Sequence, residues 1–175
     1  RKHQLSFLPL ADATAPGLML GYGVGRIGCQ VSGDGDWGIP NPNPQPEWLS
    51  WLPDWTWAYA YPNNVNGIFG PRAAGYTGKL IEEPSPWPIF EGYGTYLDPA
   101  VFPTAFYETV LATLIFGFLW SLRKRISVPG RLFALYLVCN GLERFWIEKI
   151  RVNAVIEWMG LEFTQAELIS TLTFF

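Results

Sequence analysis

The sequence predicts an all-α integral membrane protein: a helical bundle carrying a long Trp/Pro/Gly-rich extracytoplasmic loop. Three observations lead there. Apolar residues make up 49% of the 175-residue chain and charged residues only 15%, against about 25% charged in soluble domains. Aromatics reach 17%, with nine Trp, and mean hydropathy is positive at +0.12. The few charges are also sorted by region, basic in some connections and acidic in others. This composition excludes intrinsic disorder, which needs low hydrophobicity and high charge. A net charge of −3 argues against nucleic acid as the main partner, since a reader of phosphate backbones needs a basic patch. Two cysteines, Cys29 and Cys139, are too few for a disulfide framework. One histidine, His3, leaves no imidazole set for a metal.

Residues 1–175 read as a single membrane domain. The chain begins without Met and ends inside an apolar run, so it is expected to be a fragment of a longer protein. Its first membrane segment covers about 5–31, with Asp12, Pro16 and Arg26 inside it. The second covers about 100–122 and carries Glu108 as its only charge. At 1.5 Å per residue it reaches across roughly 30 Å of hydrocarbon. A third segment, about 131–150, crowds Glu143, Arg144, Glu148 and Lys149 into its second half. The fourth, 164–175, is truncated.

The flanking charges orient these segments. Arg1 and Lys2 precede the first, and Arg123, Lys124, Arg125 and Arg131 lie between the second and third. The 38–99 connection carries Glu47, Asp54, Glu82, Glu83, Glu91 and Asp98 against Arg72 and Lys79. The positive-inside rule then puts the 123–131 turn in the cytoplasm and the 38–99 loop outside. The acidic 152–163 connection falls outside as well. Proline and glycine prevent the long loop from forming one regular element. Its Trp48, Trp51, Trp55 and Trp57, with Tyr59 and Tyr61, suit a membrane-interface belt or a platform for carbohydrate or peptide.

Charges inside membrane segments cost about 2.5–3.5 kcal/mol each at a helix centre, so each needs a reason. Arg26 stands among Gly21, Gly23, Gly25 and Gly28, where missing side chains allow backbone or lipid to come close. Gly33, Gly35 and Gly38 end that helix, and Asp34 and Asp36 enter the loop beside them. A guanidinium at that level can grip an anionic headgroup through two parallel bonds to phosphate; a snorkelling Arg is the plainer reading. Asn140, Arg144, Glu148 and Arg151 follow at spacings of four, four and three, which shares one helical face. Glu148 is expected to pair with Arg144 or Arg151, and the surplus cation suits an anion. Arg26 and Arg144 are expected to face one cavity, with Glu148 or Asp34 within reach of one of them. Tyr107 and Glu108 lie one turn into the second segment, behind Pro103.

These residues resemble the motifs of the bacterial prolipoprotein diacylglyceryl transferase family. Gly25-Arg26-Ile27-Gly28 through Gly33-Asp34 and Trp37-Gly38 is similar to its Gly-Arg-x-Gly-Asn-Phe-x-Asn-Gly-Glu/Asp signature. Phe102-Pro103-Thr104-Ala105-Phe106-Tyr107-Glu108 resembles its His-Pro-Thr/Ser-Gln-Leu-Tyr-Glu motif. Gly141-Leu142-Glu143-Arg144-Phe145, with Glu148 and Arg151, resembles its Gly-x-x-Arg-Phe-x-x-Glu-x-x-Arg motif, and Thr164 to Ser170 the opening of its last helix. Cys29, Gln30, Phe102, Ala105 and Asn140 depart from the family pattern, and its His-Gly-Gly segment has no counterpart here.

The resemblance implies a multi-pass enzyme of the bacterial cytoplasmic (inner) membrane. Such an enzyme moves the diacylglyceryl group of phosphatidylglycerol to the lipobox cysteine of a prolipoprotein signal peptide, leaving glycerol phosphate. Its partners are phosphatidylglycerol, the prolipoprotein and the lipid bilayer; no metal or organic cofactor is implied. Arg26 and Arg144 are then the catalytic candidates. Gly25, Gly28, Gly33, Asp34, Tyr107, Glu108, Asn140, Glu148 and Arg151 are the substrate-binding candidates. The departures also fit a catalytically silent membrane homologue that binds anionic phospholipid.

Overall fold

Gly33 decides where the first helix stops. Helix α1 (Phe7–Ser32) runs through Pro16, and at Gly33 the backbone turns left-handed, with φ of +61° and its N–H bonded to the Cys29 carbonyl at 3.0 Å. A Cβ on Gly33 would stand 2.7 Å from that of Asn64, so the turn and the loop packed on it both require glycine. This computed structural model describes residues 6–66, 77–151, 155–158 and 161–164.

Helix α2 (Thr104–Leu122) begins directly behind Pro103, whose carbonyl accepts the N–H groups of Phe106 and Tyr107 at 3.0 and 3.2 Å. Among the described residues it is the one helix long and apolar enough to cross a membrane. Helix α3 (Arg131–Glu148) returns after a short basic turn. The sequence segments 5–31, 100–122 and 131–150 thus correspond to helices. By length and composition α1 and α3 fall short of that test: α1 is diluted by glycine, and α3 is loaded with charge in its last turns. Residues 165–175, most of the fourth expected segment, lie outside the described residues; Thr164 itself closes a strand.

α1 lies along α2, and Gly23 marks the close approach. A Cβ there would meet that of Ala112 at 3.0 Å, and the Thr109 hydroxyl donates to the Gly23 carbonyl at 3.3 Å. Met19, Ala112, Leu119 and Leu132 are buried where the three helices meet. At this end Asp12 of α1 accepts the N–H groups of Gly130 and Phe133 at 2.6 and 2.8 Å. A carboxylate from one helix therefore satisfies the open N-terminus of another.

The connections correct the all-α expectation. Strands β1 (Thr77–Leu80) and β2 (Thr95–Asp98) pair antiparallel, as do β3 (Val155–Trp158) and β4 (Leu161–Thr164). In the 38–99 loop glycine and proline forbid a long helix, and a two-stranded ladder is the cheap way to pair the freed backbone. Tyr61 and Leu97 of the 38–99 loop build a small core with Trp37 and Val101 at its two ends. Burial in that core pushes the Tyr61 phenol up from its ordinary value, and its hydroxyl donates to Gln30 Oε1 at 2.7 Å. The expected aromatic cluster is divided. Trp55 packs on Phe106 and Trp57 on Phe102, whereas Trp48 and Trp51 stay exposed.

Candidate functional site: an arginine cluster where three helices end

The C-terminal part of α1, the first turns of α2 and the end of α3 meet at one pole. Glu108, four residues into α2, is fully buried there. Its Oε2 lies 2.9 Å from Arg26 Nε, and its Oε1 accepts the Tyr22 hydroxyl at 2.9 Å. Arg151 Nη1 stands 3.7 Å and Arg144 Nη1 3.9 Å from the same Oε1. A second carboxylate, Asp36, spans two of these cations, one oxygen on Arg26 and the other on Arg151.

Local sequence explains how Asp36 comes to be there. The Thr104 hydroxyl donates to the Asp36 carbonyl at 2.8 Å. Two residues on, the Gly38 N–H donates to the Phe102 carbonyl and the Ile39 N–H to the Ile150 carbonyl, both at 2.8 Å. A Cβ on Gly38 would stand 2.6 Å from the Ile150 oxygen and 2.7 Å from Phe102 Cβ. Only glycine lets the chain thread between the start of α2 and the end of α3. Trp37, buried against Tyr61, fixes the thread from its other side.

Three guanidinium groups thus converge on the two carboxylates of Glu108 and Asp36. Burial, with Arg26 close by, pulls the Arg151 guanidinium below its ordinary value, and a nearby anion opposes the repulsion between the two cations. Arginine stays charged throughout. The Arg144 side chain is 48% exposed against 10% for Arg26, so Arg144 opens the cluster to its surroundings. Cys29, Asp34 and Asp36 bring ligand atoms within 4.8 Å of one another. Because Asp36 already bridges two arginines, this trio is a poor cation site.

A family model for prolipoprotein diacylglyceryl transferase matches residues 1–175. The chain belongs to that family. The phosphatidylglycerol–prolipoprotein diacylglyceryl transferase of Corynebacterium efficiens is 30% identical over 175 residues, covering 99% of this chain and 45% of that protein. The protein of the same name from Corynebacterium glutamicum is 31% identical over 154 residues, covering 87% and 40%. That of Chlorobaculum tepidum is 25% identical over 174 residues, covering 98% and 45%. The chain therefore spans less than half the length of these curated relatives. No solved structure matches it. The family is one of bacterial membrane proteins.

Of the residues the sequence singles out, Arg26, Glu108, Arg144 and Arg151 come together. Asn140, Arg144 and Glu148 lie on α3, Asn140 half-buried one turn before Arg144, but the helix ends at Glu148 and Arg151 follows it in a bridge to Gly38, so the expected four-residue helical stripe is one member short. Others have different surroundings. Asp34 is exposed and accepts the Asp36 N–H at 3.3 Å; the carboxylate that reaches the arginines from this loop is Asp36, because the left-handed turn at Gly33 carries Asp34 past them. Gly33 serves the helix end. Cβ atoms built on Gly25 and Gly28 meet nothing within 4 Å, so both face the open side of α1. The Tyr107 hydroxyl donates to the Thr56 carbonyl at 2.8 Å, tying the long loop to α2.

The sequence reading missed Tyr22, Asp36, Thr104 and Glu143. Tyr22 had a signal: it precedes Arg26 by one helical turn, and the guanidinium lies 5.2 Å from its ring centroid. Glu143 is buried at the edge of this cluster. It faces inward with Ile147, whereas the expected stripe through Arg144 lies one residue further round the helix.

Proposed function

We propose that the full protein transfers the diacylglyceryl group of phosphatidylglycerol to the lipobox cysteine thiol of a prolipoprotein. In this reading the arginine cluster receives the headgroup phosphate. The observation that carries it is the gathering of three guanidinium groups at a helix junction around the buried Glu108, with Arg144 left half-exposed. The names of the relatives, each a phosphatidylglycerol–prolipoprotein diacylglyceryl transferase, point the same way. The substrate sulfur attacks the glyceryl carbon next to the phosphate, forming a C–S bond as the C–O bond breaks. The electron pair goes to the departing glycerol phosphate, and the thiol proton is released. Charge grows on the phosphate as it leaves, so Arg26 and Arg144 stabilise the transition state more than the bound lipid.

The same reading makes the chain a multi-pass part of the bacterial cytoplasmic membrane, with the 38–99 loop outside. The basic residues Arg123, Lys124, Arg125 and Arg131 support this through the positive-inside rule. The arginine cluster then lies near the outer leaflet, where an exported signal peptide arrives. Tyr107 and Asn140 would contact the substrates only if the headgroup extends beyond the arginines.

One observation favours a silent lipid-binding homologue. Phe102 packs edge-on against Trp57 with centroids 5.4 Å apart, and Ala105 is buried, so two positions that resemble the family's polar His and Gln are given over to packing. The deciding experiment presents the full-length protein in phosphatidylglycerol vesicles with a lipobox peptide and follows labelled diacylglyceryl. Transfer supports the enzyme; lipid binding without transfer identifies the silent homologue.

A further inference from the structure

We propose that Asp36 is the exchangeable counter-ion of the arginine cluster: its carboxylate occupies the seat of the ligand's phosphate oxyanion and is displaced when that phosphate binds. This deepens the reading of the cluster as an anion site and rests on it. The two carboxylates of the cluster are not equivalent. Glu108 is fully buried, sits on a helix, and is held by Tyr22 as well as by Arg26. It has nowhere to go. The Asp36 side chain is 33% exposed and projects from a loop. Its backbone is what is fixed, by Thr104 at the Asp36 carbonyl and by Gly38 two residues on. The carboxylate can therefore swing away while the thread stays in place.

Chemistry makes the exchange natural. Asp36 places one oxygen on Arg26 and one on Arg151. A phosphodiester offers the same single negative charge and the same pair of oxygens, and guanidinium groups accept either. With Asp36 in its seat, Arg26 and Arg151 are compensated and no buried cation stands unpaired in the empty protein. With phosphate in its seat, the freed carboxylate turns outward on the side of the exposed Asp34. The device keeps the cluster stable without substrate, at the expense of affinity for the anion.

The test uses the full-length protein in nanodiscs of phosphatidylcholine alone or of phosphatidylcholine with phosphatidylglycerol, and inorganic phosphate as a second, soluble probe. Asp36→Asn removes the competing charge and should tighten binding of the anionic headgroup roughly tenfold. The size of the effect with inorganic phosphate tells a lipid headgroup from a free phosphate as the preferred ligand. Because Asp36→Asn can also disturb folding, a second measurement uses the wild-type protein. Water-soluble carbodiimide with an amine nucleophile, read by mass spectrometry, should label Asp36 several-fold more when phosphatidylglycerol is present. If wild-type protein binds the headgroup but Asp36→Asn binds no tighter, or the lipid protects Asp36 from labelling, Asp36 is a fixed clamp and the exchange is wrong. If neither protein binds either anion, the anion-site reading itself fails, and the exchange with it.

Discussion

Glu108 anchors Arg26 of α1, Arg144 of α3 and Arg151 just beyond α3, and a substitution there separates folding from chemistry. It has no exposed side-chain surface, and it contacts Arg26 and Tyr22 at 2.9 Å. Glu108→Ala leaves buried guanidinium groups short of a counter-ion, a loss on the order of 3–5 kcal/mol. The yield of folded full-length protein in detergent should drop and its unfolding midpoint fall. Glu108→Gln keeps the acceptor for Tyr22 and should lose less. An unchanged midpoint in Glu108→Ala would mean that Asp36 alone neutralises the cluster. The charge pattern made Glu108 legible as the only charge of the second segment. It did not reveal Asp36, because an aspartate in a Gly-rich turn has no helical periodicity to place it. Asp34 and Asp36 differ only in which way the turn at Gly33 throws them.

At the scale of elements, two contacts set where the helix ends sit. Asp12 satisfies the first N–H groups of α3 from across the bundle, so Asp12→Ala should cost about 0.5–2 kcal/mol, as losing an N-cap does. Hydrogen exchange at Gly130 and Phe133 should speed up, and unchanged exchange there would remove the cap from the account. Gly38 lets the loop pass between α2 and α3. Gly38→Ala pushes a methyl group into the Ile150 carbonyl and Phe102, which shifts Asp36 and Arg151 apart. Activity should fall well below wild type while the protein remains folded; full activity would show that the thread has slack. The extents of α1, α2 and α3 were legible from apolar runs and from glycine and proline at their ends. The β1–β2 hairpin was not, since a short ladder in a Pro/Gly-rich stretch forms through backbone pairing that leaves little side-chain pattern. Asp12 read only as a flaw in an apolar run, because its partner is more than a hundred residues away.

For the whole molecule, the account places the arginine cluster and the 38–99 loop on one side of the membrane and the 123–131 turn on the other. Cysteines introduced singly at Glu83 and at Lys124, in a protein whose Cys29 and Cys139 are alanine, should differ in access to an impermeant maleimide added to intact cells. Only the Glu83 position should label; equal labelling at both would contradict the topology. The central claim is that the cluster stabilises phosphate as it leaves, and Arg144 tests it most directly. Its side chain is the most exposed of the three and holds Glu108 only at 3.9 Å, so its loss disturbs the scaffold least. The measurement is the rate of labelled diacylglyceryl transfer from phosphatidylglycerol to a lipobox peptide by full-length protein, with lipid affinity measured separately. Arg144→Lys keeps the charge but loses the planar fork, and its turnover should fall roughly ten- to a thousand-fold, about 1.4–4 kcal/mol, with a smaller change in affinity. Arg144→Ala should fall further. Transfer at the wild-type rate by a well-folded Arg144→Ala protein would contradict the account.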